Sequence, residues 1–196
     1  MKSFTKALVL APVAIFALTA CEATLSENQV KERAANYNLA EVSQNYSSVT
    51  GKATIKINKR TGSFAKDGIM GFIADALIEA SGEEGEQTLD PASAFFAYGD
   101  IEESLASSGV SGAEVKINYY SYKTTGLKLV ASSSINQSES GVTMKGSGKT
   151  EMYVLDDGRL EKSVGSVKMD VSGKSSGIDL KGSLDFTFTS TYTWNK

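Results

Sequence analysis

Cys21 is placed for modification and not for pairing. It is the one cysteine in 196 residues, so no internal disulfide can form. Before it come Lys2, Lys6 and an apolar run from Ala7 to Ala20 that ends in Leu18-Thr19-Ala20. A basic start, an apolar stretch of that length and small residues at its end predict a secretory signal, residues 1–20, that is removed. The run is too short for a membrane span, which takes about 20 apolar residues. The chain has no histidine. The usual general base near neutral pH and the commonest metal ligand are therefore missing. Serine–histidine and cysteine–histidine catalysis and histidine-based zinc sites are excluded.

Glu83, Glu84, Glu86 and Asp90 carry oxygens that suit calcium, but their spacing lacks the alternate-position pattern of an EF-hand loop, and no metal site is expected. Paired carboxylates occur in many places without one pair that stands out for acid–base work. Gly146-Ser-Gly148-Lys149-Thr150 has the outline of a phosphate loop. It lacks the full glycine spacing and sits between strand patterns, not between a strand and a helix. The chain is thus not expected to be an enzyme or to hold a cofactor; a carboxylate- or Ser–Lys-based hydrolase is the one catalytic option left open.

The net charge falls from −3 to −5 when Lys2 and Lys6 leave with the signal. That balance gives no support to nucleic-acid binding. From Asp67 to Glu114 there are eleven acidic residues and no basic one. This stretch is either a solvated face of a helical insert or a surface that repels anionic headgroups or meets a basic partner.

The elements that would position these groups follow from periodicity. Residues 21–25 form a short tether. Ser26-Glu-Asn-Gln29 has capping-box spacing ahead of Val30, Ala34 and Tyr37, which predicts a helix over 27–37, extended through Val42. Ala53, Ile55 and Ile57 alternate with Lys52, Thr54, Lys56 and Asn58 in a first strand over 48–59. Residues 68–80 are apolar around most of a helical circumference and should cover something apolar. A polar loop, 81–86, follows. Asp90-Pro91 then predicts an N-cap and a second helical stretch through Phe95, Phe96, Tyr98, Ile101 and Leu105.

From Val115 the period becomes 2. Asp156-Asp157-Gly158 signals a hairpin turn, a phase flip between Val164 and Val167 predicts a β-bulge near Gly165, and 173–177 reads as the last loop. The final strand alternates without fault: Ile178, Leu180, Leu184, Phe186, Phe188, Tyr192 and Trp194 on one face, Asp, Lys, Ser and Thr on the other. A strand spanning roughly 55 Å at about 3.3 Å per residue must curl. The expected fold is α+β, mainly antiparallel β: a curved half-barrel sheet of long strands, one domain over 26–196, with a helical insert at 68–108 covering its concave face. Ile73, Leu77, Met144, Met152, Phe186 and Phe188 would line that face, either as core or as the lining for an acyl chain or other apolar ligand. Tyr120 and Tyr122, on the polar side, either meet a membrane interface or pack against a loop.

Leu18-Thr19-Ala20-Cys21 resembles a bacterial lipobox. That resemblance implies a diacylglycerol on the Cys21 thiol, cleavage before it and acylation of the new amino terminus. Two or three chains on one residue anchor stably. Glu22, in a place where Asp implies retention in the inner membrane, implies the outer membrane of a two-membrane cell, or the outer face of the cell membrane otherwise. The order of lipobox, helix, strand, helical insert and long antiparallel strands resembles the LolA/LolB and LppX/LprG group of half-barrel envelope lipid carriers. Residues 151–162 and Leu184-Asp-Phe-Thr-Phe-Thr-Ser-Thr-Tyr-Thr-Trp194 look like a strand–turn–strand and the final strand of such proteins. The resemblance is topological and transfers no single binding residue. It implies a membrane-anchored envelope lipoprotein with a lipid or acyl-chain ligand, and an envelope protein as a further partner. The alternative is a structural or interaction lipoprotein with a fully packed core that acts through its acidic surface.

Overall fold

The computed structural model describes residues 23–79, 84–99 and 113–196. The signal, Cys21, Glu83 and residues 100–112 lie outside them. The alternating segments form the strands β1 (Thr24–Leu25), β2 (Ser48–Gly62), β3 (Gly85–Leu89), β4 (Ala113–Tyr122), β5 (Gly126–Glu139), β6 (Val142–Val154), β7 (Leu160–Ser175) and β8 (Ile178–Asn195). They make one open, antiparallel sheet in the order β1-β4-β5-β6-β7-β8-β2-β3. β4 to β8 is a meander. Two of its turns are Ser140-Gly141 (φ 50° and 81°) and Ser176-Gly177 (φ 49° and 85°), the left-handed pairs that match the twist of a tight hairpin. The loop expected at 173–177 is therefore mostly strand. The fold is the expected α+β class, mainly antiparallel β, with helices on the concave side.

Among the described residues that side is covered by α1 (Glu27–Ala34), α2 (Leu39–Asn45) and α3 (Gly71–Glu79). Ser26 caps α1 in a reciprocal box with Gln29, and Val30 turns into the core. The single helix expected through Val42 is broken because Asn38 caps a new one, its side chain accepting from the Glu41 N–H. α3 falls within the expected 68–80. Beyond it the insert departs from expectation. β3 stands where a polar loop was predicted and pairs with β2 from Val49 to Ala53. Asp90 caps only a 3-10 turn, Pro91–Ala94. The chain then runs extended across the sheet: Phe95 bridges to Arg159, and the Phe96 N–H donates to the Gly158 carbonyl at 2.8 Å.

The phase flip in β7 is real, but its cause sits at Glu161 and not at Gly165. Tyr153 pairs with Lys162 and Val154 with Leu160, leaving Glu161 as the extra residue. Val164 consequently points outward and is 37% exposed. Gly165 stays in register between Thr150 and Phe188. Its lack of a side chain admits the Phe188 ring: a Cβ there would lie 2.2 Å from Phe188 Cζ. A second irregularity, between Ile57 and Lys59, turns Arg60 toward the concave side.

Candidate functional site

The concave face holds two apolar clusters. Leu25, Val30, Phe96, Leu127, Leu129, Val154 and Leu160 make the first, beneath α1 and the extended 95–97 segment. Phe64, Ala74, Val171, Leu184 and Phe186 make the second, beneath α3. The proposed lining residues divide between them. Ile73, Leu77 and Phe188 pack with the fully buried Phe186 in the second cluster. Met152 packs against the first. Met144 lies half-buried between Gln137 and Val171. The six therefore do not form one surface, and Phe186 is covered and closed to a ligand.

Between the clusters the register lays out a shallow diagonal trough of small residues, covered at Gly165 by the Phe188 ring, that sequence reading missed. Its floor comes from register: Ser133 beside Gly148, then Ala131–Thr150–Gly165, then Ser163–Ser190–Ala53. One wall is Leu129, Met152 and Tyr192, the other Val167, Phe188 and Ile55. Val115 and Ile57 stand on the concave side of β4 and β2 at 40% and 48% exposure. The β2–β3 end deepens into a pocket of about 110 Å³ lined by Gly51, Lys52, Ala53, Gln87, Leu89, Ser190 and Tyr192. Small inward residues at the centres of β5 to β8 were the available signal. They show only when inward positions are written side by side in register.

The 20 basic residues include three arginines, and each fastens a covering element. Arg33 donates to the Thr125 and Gly126 carbonyls at 3.2 and 2.9 Å, tying α1 to the β4–β5 turn. Arg60 donates through Nε to the Phe64 carbonyl at 2.8 Å and through Nη2 to Gly71 at 3.2 Å, and pairs with Asp75 at 2.8 Å. Arg159 pairs with Asp157 and lies 4.5 Å from the Tyr46 ring centre and 5.7 Å from that of Trp194. A planar fork suits such multi-partner seats better than an ammonium.

The convex face is polar. Glu151 accepts from Lys149 and from the Tyr153 hydroxyl, each at 2.7 Å, and these bonds hold its carboxyl down at about 2. Burial alone would raise Glu161, yet bonds from Tyr122 and Lys123 keep it below the usual range. Tyr122 stacks edge-on with Tyr153 at 5.0 Å. Burial likewise pushes Tyr37, beneath the first cluster, up to about 12. No described helix is long and apolar enough to cross a membrane. Of the carboxylates considered for calcium, Glu86 sits on β3 and Asp90 is spent on its cap.

No protein-family model, curated protein or solved structure matches this chain.

Proposed function

We propose that the protein is a membrane-anchored envelope lipoprotein, acylated at Cys21, that shelters an apolar ligand, a lipid or acyl chain, along the concave trough. The supporting observation is the band of small concave residues between two apolar clusters, with a pocket of about 110 Å³ at its β2–β3 end and exposed Val115 and Ile57 on the same face. Side chains of that size give no packing of their own, so an apolar occupant would complete the layer. The 110 Å³ pocket is below the about 300–1,000 Å³ of closed ligand sites. An occupant would therefore lie extended in the trough, with one end in the pocket.

The test is native mass spectrometry of the chain from Glu22, before and after organic extraction, beside Ser133→Trp and Ser190→Phe variants that fill the channel. A removable lipid mass on the parent, lost in folded variants, supports the reading. A clean apoprotein that takes up no added lipid overturns it and leaves the surface, including the acidic 67–114 stretch, as the working part.

A further inference from the structure

The convex side carries a second feature that the trough does not use. Tyr120, Lys128, Tyr153, Lys162, Thr191 and Lys52 lie side by side across β4, β5, β6, β7, β8 and β2. The ammonium groups sit on the rings: Lys162 is 4.4 Å and Lys128 5.4 Å from the centre of Tyr153. Lys149 and Lys123 flank the row, paired with Glu151 and Glu161 at 2.7 and 3.0 Å. Five lysines thus lie among three carboxylates, Glu151, Glu161 and Glu86, the last beside Lys52 on β3, in a chain whose overall charge is negative. Lys123 and Lys149 keep 56% and 54% of their side chains exposed.

The chain reaches the described fold at this same corner. Thr24 pairs with Tyr120, and the Ala23 carbonyl accepts from the Ser121 N–H at 2.8 Å. Any group on Cys21 is two residues away. The acidic stretch is divided: Asp75 and Glu79 stand on α3, over the opposite face, while Glu86 and Glu114 lie at the two edges of the convex face.

We infer that the convex face around Tyr153 docks on anionic lipid headgroups, fixing the anchored protein with its concave trough turned away from the membrane. This rests on the acylation of Cys21 proposed above. Tyrosine rings and lysine stems suit the headgroup layer, where an ammonium gains from anionic lipid and its stem from the apolar boundary. Acyl chains alone leave rotation about the tether free; the lysine–tyrosine row removes it.

The test uses the acylated protein in phosphatidylcholine vesicles, with and without about one-third phosphatidylglycerol, and lysine acetylation read residue by residue. Labelling of Lys123, Lys149 and Lys162 should fall at least threefold with the anionic lipid and recover in about 0.5 M salt. Lys66 should be unchanged. In folded Lys149→Glu/Lys162→Glu protein, protection of Lys123 and Lys52 should vanish. Equal labelling on both vesicles, or protection given on neutral vesicles by inorganic phosphate alone, overturns the inference. Failure to float with either vesicle refutes the anchor instead, so the two failures are distinct.

Discussion

Removing Arg60 should loosen α3 from the sheet far more than removing Asp75. The Arg60 side chain is 15% exposed, whereas Asp75 is 49% exposed. Two charge-assisted bonds from the guanidinium satisfy backbone carbonyls at the start of α3 and in the loop before it. Such bonds contribute about 1.5–3 kcal/mol each, and part of that returns when water reaches the freed carbonyls. The half-exposed ion pair adds at most about 1 kcal/mol. Arg60→Ala should therefore lose about 2–4 kcal/mol, and Asp75→Ala less than about 1. Arg60→Lys, which keeps the charge without the fork, should fall between them. Urea unfolding followed by Trp194 reports the sheet, because the indole N–H is tied to the Leu160 carbonyl at the end of the face away from α3. Amide hydrogen exchange reports α3 itself. The expected result is faster exchange in α3 for Arg60→Ala, together with a lower urea midpoint. Equal losses for Arg60→Ala and Asp75→Ala, or a loss under about 0.5 kcal/mol for the arginine, would refute the clamp.

Gly165→Ala should destabilise by about 1–3 kcal/mol, since its Cβ would meet the Phe188 ring, and Phe188→Leu should recover part of the loss in thermal melts. Tyr37→Phe should stabilise the fold by up to about 2 kcal/mol, read as a higher urea midpoint, because the Tyr37 hydroxyl is buried with no hydrogen-bond partner among the described residues. Glu151 should make the protein acid-sensitive. Its carboxyl is held down at about 2 in the fold against an ordinary value of 4.5, so its contribution is whole above about pH 4.5 and is lost as pH falls toward 2. Glu151→Gln should flatten the stability profile across that window, and an unchanged slope would count against the assignment.

Legibility in the sequence tracked how one-sided each element is. β8 could be read almost to its ends because, Gly182 and Ser190 apart, one of its faces is apolar and the other hydroxyl or charged. β3 could not: Gly85-Glu-Gln-Thr-Leu89 is an edge strand whose order comes from β2, not from its own pattern. Periodicity puts the bulge near Gly165 and not at Glu161 because Val164, an apolar residue, points outward. Arg60 reads as another outward basic residue of β2 until the irregularity after Ile57 is known. The helix break at Asn38 was legible in principle, since asparagine is a favoured cap. The trough was the hardest part. Ser, Gly, Ala and Thr mark neither face strongly, and only the pairing of five strands assembles them into a channel.

The sheet also sets an order of events for a chain made from its N-terminus. β4 to β8 can form as successive hairpins, each strand meeting one just completed. β2 cannot, because its long partner is β8, with Asn195 bonded back to Ser48 across 147 residues. The half of β2 beyond Ala53 has β8 as its single paired neighbour among the described strands. Until the last dozen residues emerge, that half waits with both edges unpaired, and Lys56 and Lys59 are what discourage it from joining another copy. Folding should therefore finish late and in one step, since closure of so long a loop precedes its reward. A chain shortened before Phe186 would lose the seam that joins its first long strand to the rest.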